Sequence, residues 1–330
     1  MEKGRNLRSV NTDGGVNLQF KLLSAIGIII IVSGHCYHGG MELAYNWFPP
    51  YSYNLALFVF ISGYFYKTDY EENIGKYIWK RTKRLLIPAY LWNIFYGGMV
   101  AFLGLFGFTI GAKPDLYNLF VMPFVDGEAF QYNLGSWFVY PLFLVCIINV
   151  LFRKFLKLIH LDNEFIVLIV YLTIGMIGIN TALENPTAIN GIVKLLVRTM
   201  FFLPCYEFGR FYKAVLEKKD TLNNVAYFAI IFAVQLILLT FCKDLEYTPS
   251  SFTKFNNGFI IPYISSITAI AFWLRVSRLF VPAIGNSKLV RLIADNTYGI
   301  MVNQLVGFMC LKFVFYGLSR ITSGTLFGDF

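Results

Sequence analysis

Long apolar runs separated by short polar segments dominate the chain. A bilayer core of about 30 Å needs about 20 apolar residues per helix. Each such run must be helical, because its backbone groups find no water to bond in lipid. The pattern places nine spans, at residues 18–38, 50–66, 85–111, 134–152, 164–181, 191–212, 222–242, 258–274 and 292–317. A tenth could lie within the third or ninth run, or around residues 279–284. The pattern therefore predicts an all-α, polytopic transmembrane helical bundle of about nine to ten spans.

The polar segments between the runs alternate in charge. Lys and Arg are concentrated in the first 17 residues and in the loops at 67–84, 153–163, 213–221 and 275–291, while the intervening loops are poor in both. Because cytoplasmic loops of membrane proteins retain Lys and Arg, this alternation predicts a cytoplasmic N-terminus. Lys194 and Arg198 are exceptions to this alternation, because they lie near the predicted outer start of the sixth span. The predicted organisation is a cytoplasmic N-terminal segment at 1–17, a transmembrane domain at 18–317 and a C-terminal tail at 318–330.

Composition excludes a water-soluble globular class. Hydrophobic residues make up 57% of the chain and charged residues only 14%, against about 25% charged in soluble domains. The net charge of +9 follows from the basic loops, so we predict no nucleic-acid partner. The five cysteines lie in or beside apolar runs without a C-x-x-C pair, which favours membrane-packed thiols over a disulfide frame or metal site. The first apolar run is interpreted as a retained span rather than a removed signal peptide.

His35 is the first candidate for chemistry, because ionisable groups inside a membrane are costly to bury. It lies about 17 residues into the first span, or about 25 Å along a helix, which places it in the outer half of the membrane. Ser24, Ile28, Ile31 and His35 share one helical face, and Lys21 roughly shares it four turns before His35. The alternative is an interfacial histidine that only bonds a neighbouring helix.

Three further clusters carry polar groups. Arg81 and Arg84 are three residues apart on the cytoplasmic lead-in to the third span, and guanidinium groups suit bidentate phosphate binding; a plain positive anchor is the alternative. Trp137 opens the fourth span, where an aromatic belt would also place it. Asn303 and Gln304 are amides in the last span, where interhelical hydrogen bonding would also explain them.

The order of these motifs resembles the membrane acyltransferase-3 family over about residues 18–310. Each motif is degenerate, but five or six of them in the right order form a fairly specific combination. The matching motifs are Ser33-Gly34-His35, the run from Leu57 to Phe65, the R-x-x-R-x-x-x-P-x-Y pattern from Arg81 to Tyr90, Trp137-Phe138, the stretch from Phe201 to Arg210, and Thr297-Tyr298-Gly299-Ile300.

The resemblance implies an enzyme that O-acylates cell-surface or exported glycans. An acyl group, usually acetyl, would pass from cytoplasmic acyl-CoA to a carbohydrate hydroxyl on the far side of a cell membrane, here expected to be a bacterial plasma membrane. His35 would be the catalytic histidine, and Arg81 and Arg84 would lie near the acyl-CoA phosphates. Acetyl-CoA or another acyl-CoA would be a donor substrate, with no tightly bound cofactor and no metal.

Four further residues are candidates for substrate binding or support: Lys21, Ser24, Trp137 and Gln304. Many family members carry Arg or Lys 11 residues before the histidine, where this chain has Ser24, and Lys21 is the nearest substitute. Many also carry a histidine where this chain has Gln304, and an amide cannot shuttle protons. We expect His35, Arg81, Arg84, Trp137 and Gln304 to line a single cavity reachable from both sides.

Two other functions remain open. A transporter or flippase could use His35, Glu207 and Arg198 as a substrate or proton path. A catalytically inactive relative could serve as a scaffold or sensor, which the residues at positions 24 and 304 would favour. Within the enzyme hypothesis, His35 could deprotonate the acceptor hydroxyl for direct attack or carry the acyl group itself.

Overall fold

The computed structural model describes residues 12–13, 16–35, 46–109, 111–126, 130–185, 189–242, 245, 255 and 257–321. Apart from a short antiparallel pairing of Thr12–Asp13 with Val16–Asn17, the regular structure of these residues is helical. The main helices are α1 Leu18–Gly34, α2 Asn54–Tyr64, α3 Ile74–Leu105, α4 Val139–Leu158, α5 Glu164–Glu184, α6 Gly191–Phe211, α7 Asn224–Phe241, α8 Ile261–Ile284, α9 Lys288–Asp295 and α10 Thr297–Ile321.

Six of these helices are long and apolar enough to cross a bilayer, counted over the described residues: α3, α4, α5, α7, α8 and α10. The all-α, membrane-spanning class is therefore confirmed, while the predicted nine to ten spans are not. Helices α1 and α2 have 17 and 11 residues, or about 25 and 17 Å of helical rise. Helix α6 has 21 residues but includes Lys194, Arg198, Glu207 and Arg210, which lower its hydropathy.

Asparagine caps begin several helices on the side predicted to be cytoplasmic. The Asn17 side chain accepts a hydrogen bond from the Phe20 amide at 3.1 Å, and Asn163 accepts one from the Phe165 amide at 2.8 Å. Asn73 caps α3, and Asn223 caps α7. Each cap satisfies an amide that the first turn leaves unpaired, so these polar residues mark helix starts that hydropathy alone locates poorly.

Helix α3 begins 11 residues before the predicted span start at 85, because Asn73 caps a helix that runs through the basic segment. The Ile87 amide bonds the Thr82 carbonyl, which makes residues 82–86 a wide π turn. Pro88 follows directly, and a proline clashes with the carbonyl four residues before it in a regular helix. The wide turn absorbs that mismatch, so residues 74–84 form a helix and not the predicted loop.

Three other predicted boundaries are wrong. Residues 279–284 belong to α8, which continues past 274, and not to a tenth span. The predicted ninth span is divided at Asn296 into α9 and α10. Arg153 lies inside α4 and is 3% exposed, and not in the predicted loop at 153–163.

Helices α6 and α1 organise the bundle. Helix α6 packs against α2, α4 and α5, and α1 packs against α2, α8, α9 and α10. Cys146 and Cys205 are buried here as free thiols, and Cys242 and Cys310 are also free; Cys36 lies outside the described residues. The close contact of α2 with α6 depends on two glycines. A Cβ at Gly63 would lie 1.8 Å from the Tyr206 carbonyl oxygen, and one at Gly209 would lie 1.9 Å from that of Phe60.

Replacing Gly209 with alanine should destabilise the protein by about 1–3 kcal/mol, because the helices must separate to admit a methyl group against backbone. Gly98→Ala is the matched control, since a Cβ there meets nothing within 4 Å and alanine favours the helix. Thermal unfolding of the detergent-solubilised variants measures both effects. Equal midpoints for the two variants would show that α2 and α6 do not pack this closely.

Candidate active site

A cavity of about 260 Å³ lies among α1, α2, α3, α4 and α10. Its walls are mainly apolar, and its polar groups come from four separate helices. Burying a polar or charged side chain in a membrane interior costs free energy, so such residues usually have a hydrogen-bond partner or a function. The described residues that line it are Ser24, Ile28, Phe58, Ile61, Ser62, Arg84, Leu85, Phe138, Val139, Leu142, Thr297, Tyr298 and Met301.

Two cavity hydroxyls differ in their availability. The Ser24 hydroxyl donates to the Phe20 carbonyl at 2.8 Å, so its hydrogen is already engaged within α1. The Tyr298 hydroxyl is buried and lies near the Ser136 side chain, but it makes no hydrogen bond of normal geometry within the described part of the chain. A buried hydroxyl without a partner costs free energy, and that cost is removed if a ligand in the cavity accepts its hydrogen. Tyr298 is therefore the cavity group best placed to bond a guest.

The wide turn of α3 separates the two candidate arginines. Arg84 lines the cavity, is exposed, and has no ion-pair partner among the residues that the structure describes. The Arg81 guanidinium instead lies over the Tyr77 ring, 5.0 Å from its centroid. Arg81 also lies near Tyr206 and Cys146 in the core, and its Nε has no described hydrogen-bond partner. Arg84 thus faces the cavity, and Arg81 packs into the helix interface.

His35 and Gln304 lie beyond the cavity along the helices that line it. His35 follows the last turn of α1, two turns past Ile28, a helical rise of about 10 Å. It is exposed, and its ring meets the Tyr51 ring edge to face with centroids 6.1 Å apart. The Tyr51 hydroxyl donates to the Gly34 carbonyl at 3.0 Å. Gln304 lies one turn past Met301 on α10, and its Oε1 is buried without a described hydrogen-bond partner.

Lys21 and Trp137 have other partners. Lys21 pairs with Asp295 at the end of α9, so its charge is compensated at the start of α1. Trp137 is 5% exposed, and the Arg198 guanidinium lies 4.4 Å from its ring centroid. Arg198 also donates to the Asp126 carbonyl at 2.9 Å. The Trp137 ring is therefore covered by Arg198.

Of the seven predicted site residues, the cavity brings together Ser24 and Arg84. Lys21, His35, Arg81, Trp137 and Gln304 are not among the described residues that line it. The expectation that His35, Arg81, Arg84, Trp137 and Gln304 share one cavity thus holds for Arg84 alone. Three polar lining residues were not among the predicted site residues, although each carries a hydroxyl within an apolar run and lies in a motif that matches the family: Ser62, Thr297 and Tyr298.

A buried ionic cluster is the other feature that was not predicted from the sequence. Arg153 Nη2 lies 2.6 Å from Glu207 Oε2 and 2.8 Å from Glu164 Oε2. Arg210 binds the opposite oxygen of Glu164 at 2.8 Å, and both guanidinium groups lie over the Tyr66 ring at 5.9 and 5.0 Å from its centroid. The cluster joins α4, α5 and α6, and its charges are mutually compensated. A charged residue inside an apolar run is the signal that could have found it.

This cluster bears on the transport hypothesis. Glu207 is fully buried and paired with Arg153, whereas Arg198 lies on Trp137 two to three turns away along α6. These two residues and His35 therefore do not form a continuous polar path among the residues described.

A helical membrane protein with a partly polar cavity inside the bundle is the class that this fold and site define. The family model for an acyltransferase domain, that of the acyltransferase-3 family, matches residues 17–326. The match covers essentially the whole chain, so the chain belongs to this family of membrane acyltransferases. No curated protein and no solved structure matches the chain.

Proposed function

We propose that the chain is an integral membrane O-acyltransferase that moves an acyl group, in the first instance acetyl, from cytosolic acyl-CoA to a hydroxyl of a cell-surface or exported carbohydrate. The observation that carries the proposal is the cavity lined by Arg84, which has no ion-pair partner among the described residues, and by residues of α1 and α10. His35 and Gln304 lie further along these same two helices. Membership of the acyltransferase-3 family supports the same reaction class.

The proposal includes a topology. Adding α1, α2 and α6 to the six long apolar helices gives nine crossings, with residues 1–17 cytosolic, 18–317 in the membrane domain and 318–330 as a tail. Because α1 and α2 are short, they would cross where the lipid is locally thinned or where neighbouring protein surrounds them. Helix α6 would carry its charges inside the bundle, where Lys194, Glu207 and Arg210 have ion-pair partners and Arg198 lies over the Trp137 ring. The membrane proposed is the bacterial plasma membrane.

Every candidate residue except Arg81, which packs on Tyr77, has a part in this proposal. Arg84 would bind the acyl-CoA phosphates at the cytosolic end, and the cavity would hold the thioester arm. Tyr298 would donate to a carbonyl of that arm. Gln304 would orient the acceptor or donor near His35, and Trp137 would support the acceptor side. Ser24 would line the path, and Lys21 would fix the start of α1 through Asp295.

The chemistry requires a base of near-neutral pKa, which imidazole provides. In direct transfer, His35 takes the proton of the acceptor hydroxyl, the oxygen attacks the thioester carbonyl, the C–S bond breaks, and the imidazolium returns the proton to the departing thiolate. In the two-step route, the His35 imidazole attacks the thioester carbonyl, the C–S bond breaks and the CoA thiolate leaves. The acceptor hydroxyl then attacks the acyl-imidazole, the C–N bond breaks, and the hydroxyl proton passes to the released imidazole. Holding donor and acceptor in one site accounts for much of the remaining rate gain.

Proteoliposomes in which the protein is inserted in one orientation, with its cytosolic face outward, test whether the protein is an acyltransferase. We expect labelled acetyl-CoA added on the cytosolic face to be consumed with release of free thiol, and label to appear on carbohydrate enclosed on the opposite face. Protein-free vesicles give the background. Passage of carbohydrate without any acyl-CoA binding or thiol release would replace the proposal with transport.

Arg84→Gln should raise the KM for acyl-CoA by about 10- to 100-fold, because it removes charge-assisted hydrogen bonds to phosphate of about 1.5–3 kcal/mol. Folding should be retained, since Arg84 is exposed.

Lys83→Gln is the matched control, because it removes a neighbouring exposed cation that lies over Trp79. Arg81→Gln should lower stability with little change in KM, because Arg81 packs on Tyr77. A raised KM in Arg81→Gln with a normal one in Arg84→Gln would reverse the assignment.

A further inference from the structure

A second, larger cavity lies elsewhere in the bundle and shares no described lining residue with the candidate active site. It has a volume of about 420 Å³, within the range of small-ligand pockets. Its walls are formed almost entirely by apolar side chains of α6 and α8, closed at one end by the start of α7. The lining residues that matter here are Phe208, Phe211, Leu222, Ile270, Ala271 and Leu274.

The position of α7 places this cavity beside lipid. Helix α7 packs mainly on α8, and only 11% of its most apolar window is buried inside the protein. Gln235 and Leu238 are its buried residues, and both lie well past the cavity-lining Leu222 and Tyr227. At the first turns of α7, Tyr227 lines the cavity and its hydroxyl donates to the Ala271 carbonyl on α8 at 3.1 Å, so the cavity lies between the start of α7 and the helices α6 and α8.

Two charged residues, Lys219 and Asp220, line the cavity, and we call the end of the cavity at these residues its mouth. Asp220 is bound by two guanidinium groups, from Arg278 at 2.8 Å and Arg275 at 3.1 Å. Lys219 has no ion-pair partner in the described part of the chain. Arg275 also lies over the ring of Tyr227, a cavity residue, with its guanidinium carbon 4.3 Å from the centroid.

The charge around the mouth remains positive beyond these contacts. Lys213 and Lys218 lie on the same segment after α6, together with Glu217, whose carboxylate accepts from the Tyr64 hydroxyl at 3.0 Å. Counted over these described residues, the segment after α6 and the facing part of α8 thus carry five cationic side chains and two carboxylates, and Asp220 is already bound by two of the cations. A negatively charged group at this level of the membrane would be attracted, and an apolar chain attached to it would reach the cavity.

We propose that this cavity binds one acyl chain of an anionic phospholipid from the adjacent leaflet, with the lipid phosphate at Lys219 and its positively charged neighbours. Charge complementarity at the mouth selects the headgroup, and the aromatic and aliphatic walls bury the chain. The second acyl chain stays in the bilayer. The site is separate from the candidate active site and does not depend on acyl transfer.

Native mass spectrometry of the full-length, detergent-purified protein tests this site. Phosphatidylglycerol and phosphatidylcholine with identical chains are added in turn to delipidated protein. We expect phosphatidylglycerol to bind at least about fivefold more tightly, as expected for one favourable cationic contact at a membrane surface. Equal retention of the two lipids would overturn the proposal and leave only ordinary boundary lipid.

Two variants locate the binding. Ala271→Trp fills the cavity and should abolish tight phosphatidylglycerol binding, while Ala229→Trp on the exposed face of α7 should leave it unchanged. Lys219→Gln should weaken binding about fivefold, while Lys157→Gln, an exposed cation at the end of α4, should not. Binding that survives Ala271→Trp would overturn the site. If that variant does not fold, Lys219→Gln decides, and an unchanged affinity in it overturns the proposal.

Discussion

Replacement of His35 by alanine should reduce acyl transfer by about 10² to 10⁴, the range that general-base catalysis contributes. His35 is exposed at the end of α1, so its removal should change stability little. The KM for acyl-CoA should also stay near the wild-type value, because the phosphate contacts belong to Arg84. Thiol release and label transfer in proteoliposomes measure the rate, and thermal unfolding confirms the fold.

Two further variants separate proton transfer from packing. His35→Gln keeps hydrogen bonding but cannot accept a proton at neutral pH, so it should be as inactive as His35→Ala. His160→Asn removes a histidine from an exposed position with φ of 57°, which asparagine tolerates, and should be fully active. Native acylation by His35→Ala would end the proposed mechanism. Label on His35 in wild-type protein quenched without acceptor would select the two-step route.

The apolar runs allowed the helical membrane class to be predicted, because an apolar run in lipid has no alternative to a helix. They located the helix ends less well. A hydropathy pattern gives no information on the Asn73 cap, which begins a helix ahead of the third apolar run. It also gives none on the pairing of Arg153, inside α4, with a carboxylate 54 positions later in the chain. Both boundaries depend on partners that are far away in sequence or on side-chain capping.

The relative positions of two candidate site residues, Arg81 and Arg84, could not be predicted from the sequence either. Arg81 and Arg84 are three apart, and in a regular α-helix such residues lie about 60° apart around the axis, close enough to act together. The π turn from Thr82 to Leu86 has more residues per turn, which widens that angle. Pro88 was visible in the sequence, but a proline can bend, break or widen a helix. Only the structure shows which of these occurs here.

The buried ionic cluster leads to the largest expected effect on stability. Arg153→Met should lower the free energy of unfolding by about 3–5 kcal/mol, because it leaves the fully buried Glu207 carboxylate without its cation. Glu164 keeps Arg210 as a partner, so the loss is concentrated on Glu207. Unfolding in mixed micelles of increasing denaturing detergent measures the change. Lys157→Met, which removes an exposed cation from the same helix, should have little effect.

The double variant Arg153→Met with Glu207→Gln should recover much of that loss, because no uncompensated charge then remains in the core. Replacing both members of a buried ion pair is often nearly neutral, whereas removing one is costly. The recovery is therefore the signature of direct pairing, and its size is the coupling energy of a double-mutant cycle. Additive losses in the cycle would mean that Glu207 and Arg153 do not depend on each other. Recovery would instead show that α4 and α6 are held by a compensated charge pair that the bundle must form as it folds.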